Sequence, residues 1–129
     1  MTIWIPEAAI RAMHEELLRE HGGLSGAIDE PALQATLAKP MQLINYGSPG
    51  LAEPAAAYGY GFAKNHCFSD GNKRIALSAI DVFLQLNGQE LCALEVDAAV
   101  TLLAVAAGEI DQKELASWIR SSMQALPAQ

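Results

Sequence analysis

With 129 residues, 51% of them hydrophobic, and a formal net charge of −7, the chain has the length and composition of one folded domain and not of a disordered segment. The acidic balance excludes direct wrapping of nucleic acid, which needs clustered Lys and Arg. The two cysteines, Cys67 and Cys92, form no Cys-x-x-Cys pair, which excludes a disulfide scaffold or structural zinc site. The longest apolar stretch, Val96 to Ala107, is interrupted by Asp97 and Thr101 and is too short to span a membrane. Met1 to Glu7 has no basic region followed by a long apolar run, so no signal peptide is expected and the expected compartment is the cytoplasm.

The first helix is predicted from Pro6 to His21. Pro6 suits a first turn, Glu7 suits the positive helix end, and Gly22-Gly23 stops it. Ile10, Met13 and Leu17 share its inward face. The second helix is predicted from near Asp29 to Lys39-Pro40, with Leu33 and Leu37 inward. Gln42 to Tyr46 then reads as a short strand and Gly47-Ser48-Pro49-Gly50 as a turn, together a small β-hairpin flap. The third helix should cover Ala55 to Asn65. Its Gly59 and Gly61 each cost about 1 kcal/mol relative to Ala, which close packing against another helix would explain. The fourth should open at Gly71 or Asn72 and end at Asn87-Gly88, with Ile75, Ala79, Val82, Phe83 and Leu86 inward. The fifth covers Asp97 to Ala107. The sixth starts at Asp111, with Glu114 completing a capping box, and runs to about Met123. The expected fold class is all-α: one domain over residues 1–129, a compact bundle of about six helices with a small β flap.

His66 to Arg74 differs from the rest of the chain. It gathers His, Asp, Asn, Lys and Arg at a junction between two helices. The first N–H groups of a helix opening at Gly71 or Asn72 lack intrahelical partners, and with the helix dipole they attract an anion. Gly71 lets a phosphate approach the backbone. Lys73 and Arg74 put positive charge in the first turn, where it disfavours the helix but favours an anion. Asp70 has two competing readings, an N-cap or a carboxylate for Mg²⁺ shared with substrate phosphates. His66, as neutral imidazole, could take a proton from an attacking hydroxyl. Phe68 is expected to face the core and anchor the loop, and Cys67 to pack. No Walker A sequence and no protein-kinase motif set is present. His14, His21, Trp4, Trp118, Tyr58 and Tyr60 read as structural residues.

At these residues the sequence resembles the Fic/Doc superfamily, whose pattern His-x-Phe-x-Asp/Glu-Gly-Asn-Gly/Lys-Arg is met at every specified position from His66 to Arg74. His14, the Gly22-Gly23-Leu24 turn with Asp29, and Ala106 to Ile110 resemble the death-on-curing (Doc) branch. The resemblance implies an α-helical bundle with a flap over the active site, and transfer of part of a nucleotide to a protein hydroxyl. It implies His66 as general base, Asp70 as the Mg²⁺ carboxylate, and Gly71, Asn72, Lys73 and Arg74 around the phosphates of ATP. It also implies a flap at Leu43, Ile44, Asn45 and Tyr46 that receives the target segment. Lys73 stands where AMP-transferring members have Gly, and the Doc branch has Lys there. That branch binds ATP in the reversed sense and phosphorylates elongation factor Tu. Position 71 departs from the Doc pattern, which has Ala, and agrees with AMP-transferring members. Phosphoryl transfer is therefore the first reading, AMP transfer the second, and a non-enzymatic binding module acting through an antitoxin the third. No Ser or Thr is followed four residues later by Glu, so the family's self-inhibitory motif is missing. A separate antitoxin acting in trans is the implied partner.

Overall fold

A computed structural model describes residues 1–45 and 50–127 of the chain. Its elements are α1 (Glu7–His21), α2 (Glu30–Asn45), α3 (Ala52–Lys64), α4 (Asn72–Leu86), β1 (Gln89–Leu91), α5 (Glu95–Ala106), α6 (Gln112–Ser122) and β2 (Met123–Ala125). The all-α expectation holds, with one small sheet added.

The architecture turns on α3. Its sequence is rich in Ala and Gly, and nearly every residue from Ala52 to Ala63 is buried. Small side chains let α2, α4, α5 and α6 all pack against this one helix. At Gly59 a Cβ would lie 2.5 Å from Ile80 Cδ1 of α4, and at Gly61 one would lie 2.7 Å from Thr36 Cγ2 of α2. Both glycines thus mark close helix approaches, on opposite sides of α3. Phe62, Ile75, Phe83, Leu84, Leu115 and Ile119 are wholly buried around it, each contributing on the order of 1.5–3 kcal/mol. α1 lies across α4 and buries Ile10 and His14. The N-terminal arm is pinned too. Trp4 stacks on Phe83 at 5.6 Å, and the Ile5 N–H donates to the Tyr58 hydroxyl at 3.2 Å. At α6 the capping box is formed: the Glu114 N–H donates to Asp111 Oδ1 at 2.8 Å, and the Asp111 N–H to Glu114 Oε1 at 3.1 Å.

Two expectations need correction. α2 does not stop at Lys39-Pro40; it runs through Pro40 to Asn45. Pro40 is buried, and burial of the helix face carrying Leu33, Thr36 and Pro40 outweighs the one hydrogen bond that a proline removes. Leu43, Ile44 and Asn45 therefore end a helix and do not form a strand, while Tyr46 and the Gly47 to Pro49 turn lie outside the described residues. The β structure is elsewhere: β1 pairs antiparallel with β2 in the register Gln89↔Ala125, Glu90↔Gln124, Leu91↔Met123. α6 ends at Ser122, in line with the expected end at about Met123, and Met123 opens that second strand.

Candidate active site

α3 ends at Lys64, and the chain turns at His66, whose φ of 50° is left-handed. Histidine tolerates this region better than most residues. The imidazole is exposed, whereas Cys67 and Phe68 directly after it are buried. Cys67 packs as expected. Burial pushes its thiol pKa up, and its Sγ lies 3.4 Å from Thr36 Oγ1. Phe68 sits between two rings, stacked on His14 at 3.7 Å and on Phe62 at 6.3 Å.

The loop between α3 and α4 is clamped by side chains from several parts of the chain. Asn72 closes it from within: its Oδ1 accepts from the Phe68 N–H at 3.1 Å and its Nδ2 donates to the Phe68 carbonyl at 2.9 Å. His14 of α1 holds it from beneath, with Nε2 2.7 Å from the Asp70 carbonyl. A carbonyl only accepts, so Nε2 of His14 is the donor in this bond. The Asp29 N–H donates to the Cys67 carbonyl at 2.9 Å, and Ser69 Oγ to the Ala27 carbonyl at 3.2 Å. The α1–α2 connection from Gly22 to Asp29 thereby wraps the loop.

Asp70 is not the N-cap of α4. That position is Gly71, in the left-handed conformation at φ 79°. The Asp70 carboxylate instead receives the Gly71 N–H on Oδ1 at 2.8 Å and the Leu24 N–H on Oδ2 at 3.3 Å. These two backbone donors, then Arg74 and Lys73, hold the carboxyl below its usual range against the opposing effect of desolvation. The connection can come this close because residue 23 is glycine. A Cβ there would be 2.9 Å from Asp70 Oδ2, and the backbone has φ 128°.

What remains is a cup of about 250 Å³ at the opening of α4, lined by Asp70, Gly71, Asn72, Lys73 and Arg74. It combines first-turn N–H groups of a fifteen-residue helix with two exposed cations and one carboxylate. Neither Lys73 nor Arg74 forms an ion pair among the described residues. The arrangement suits a multiply charged anion. The Asp70 oxygens, ionised and exposed, keep lone pairs for a divalent cation shared with that anion. Among the described residues no three His, Cys, Asp or Glu side chains cluster as a self-sufficient metal site.

Of the residues singled out in the sequence, five come together as this cup. His66 stands apart from its lining, at the exposed corner four residues before Asp70. Leu43 is half-buried in the last turns of α2. Sequence reasoning missed the clamping role of His14, which stacking and a 56-residue separation create, and the use of the Asn72 carboxamide within the loop. The Gly22-Gly23 pair, which reads in the sequence as a helix stop and as part of a Doc-like turn, also carries the signal for the close approach to Asp70.

The chain matches the Fic/DOC family over residues 4–84, a span that includes the cup and every clamp upon it. It is 33% identical over 116 residues to the "Protein kinase doc" of Escherichia phage P1, an alignment covering 89% of this chain and 90% of that protein. It is 38% identical over 101 residues to the "Toxin Doc" of Mycolicibacterium smegmatis, covering 74% of this chain and 77% of that one. The family match spans well over half of the chain and the first of these relatives aligns over nearly all of it: the chain belongs to the Fic/DOC family.

Proposed function

We propose that this chain is a Doc-type toxin that transfers the γ-phosphoryl group of ATP to a hydroxyl of a protein in the translation machinery, elongation factor Tu by resemblance. The observation that carries the reading is Lys73 in the lining of the anion cup at the opening of α4. AMP-transferring relatives resemble this site but have Gly there, which leaves space for the β- and γ-phosphates. A lysine fills that space and favours ATP bound in the opposite sense, with its terminal phosphate toward the acceptor. The name of the phage P1 relative, a protein kinase, supports the same choice.

In this reading the first-turn N–H groups of α4, with Lys73 and Arg74, hold the phosphates. Asn72 contributes its backbone, since its carboxamide is committed to Phe68. Mg²⁺, when bound beside Asp70, would neutralise phosphate charge that develops during transfer. His66 takes the proton from the acceptor hydroxyl, whose oxygen bonds to the γ-phosphorus as the bridge to ADP breaks. An antitoxin acting in trans restrains the enzyme, in keeping with the toxin name of the mycobacterial relative, and both proteins work in the cytoplasm.

AMP transfer is kept as the second reading because Gly71 matches the AMP-transferring pattern. Incubation with cytosolic extract and ATP labelled at the α- or the γ-phosphate separates the two. Protein label from the γ position alone is expected; label from the α position would overturn phosphoryl transfer. Unchanged cellular toxicity of His66→Ala would overturn both in favour of a binding module.

A further inference from the structure

A groove runs along the outer side of α3, between α2 and α6. It consists of two hollows of about 420 and 210 Å³ that share Gln112. Ala57 and Gly61, in helical spacing on α3, keep its floor small, and Lys39 of α2 and Lys113 of α6 stand exposed at its sides. One end reaches Leu43 and Glu53, on either side of the α2–α3 connection; the other reaches Asn65, the residue before His66.

Charge is distributed unevenly here. The chain has 15 Asp and Glu and 8 Lys and Arg, yet the lining holds Lys39, Lys113 and Arg120 against Glu53 as the one acidic side chain. Arg120 is ion-paired with Glu53. Lys39 and Lys113 have no ion pair among the described residues. Two ammonium groups with no ion pair among the described residues thus flank a narrow floor on a protein of net charge −7, which makes this groove, like the cup at α4, a place that attracts an acidic ligand. The length also selects a ligand. The thirteen residues of α3 span about 20 Å at 1.5 Å per residue, a distance covered by roughly six residues of extended chain.

We propose that this groove seats an acidic, extended segment of the protein target, with carboxylates against Lys39 and Lys113, and that the target reaches His66 from the Asn65 end. The inference rests on the protein-transferase reading above and names the feature by which the target is selected.

Two measurements test it. Fluorescence anisotropy with a fluorescein-labelled hexaglutamate peptide should show binding that weakens with salt, and the double variant Lys39→Glu/Lys113→Glu should bind about tenfold or more weakly. No binding by the wild type, equal binding by the variant, or preference for an RNA oligonucleotide would overturn the groove. With purified elongation factor Tu and γ-labelled ATP, the same variant should raise the KM for the protein about tenfold and leave kcat and ATP affinity unchanged. An unchanged KM would also overturn it. Failure of the wild type to label any protein would remove the transferase reading instead, with the peptide measurement still deciding the groove.

Discussion

Asp70 is held ionised by the N–H groups of Gly71 and Leu24, with further attraction from Arg74 and Lys73. Its pKa is lower folded than unfolded, so the unfolded chain takes up the proton first as pH falls. The carboxylate's contribution is therefore complete at neutral pH and is lost on acidification through and below the usual Asp value of about 4. The expected outcome is a wild type more stable than Asp70→Asn at pH 7, with the gap in urea midpoint closing toward pH 3. Asn72 acts differently, through shape. Its amide matches both backbone groups of Phe68, and Asn72→Ala would strand buried polar atoms. A loss of about 1–3 kcal/mol in denaturant unfolding is expected, together with weaker binding of a non-hydrolysable ATP analogue, measured by calorimetry. Side-chain identities in the loop were legible, because His, Asp, Asn, Lys and Arg crowd one junction. Their partners were not. Leu24 and His14 lie 46 and 56 residues from Asp70, and nothing local in the sequence encodes such a contact.

At the scale of elements, the six helices were readable from apolar spacing, from stop signals such as Gly88 and from the Asp111–Glu114 capping box that starts α6. The errors arose where tertiary packing overrides a local signal. Pro40 says stop, but the face it shares with Leu33 and Thr36 is buried and the helix continues. β1 and β2 are three residues each and more than thirty residues apart, so neither shows a period that could be read. Gly59 marks the close packing that its cost within a helix implies. Gly59→Ala is expected to push its methyl group into Ile80, which is fully buried. The cost is about 1–3 kcal/mol by overpacking, despite the better helix propensity of Ala. A thermal melt checks the sign, since a stabilised variant would mean that α3 and α4 can move apart.

For the whole molecule, the N-terminal arm and Leu126 are both tied to the residues that close α4. The Asn87 side chain accepts from the Ile3 N–H at 2.8 Å and donates to the Ile3 and Phe83 carbonyls at 2.9 and 2.8 Å. The Leu126 N–H reaches the Gly88 carbonyl at 3.0 Å beside the β1–β2 ladder. Asn87→Ala should release the N-terminal arm and cost about 1–3 kcal/mol. Calorimetry should find nucleotide affinity unchanged, because this tie lies at the end of α4 opposite the cup.

The link from Gly22 to Ala27 is exposed throughout, yet it carries the donor to Asp70 and an acceptor for Ser69. Its ends belong to α1 and α2, each anchored by its own buried residues. A protease that nicks this link would leave a folded body whose cup at the opening of α4 has lost its outer brace, so a single surface cut is expected to loosen the candidate site without unfolding the protein.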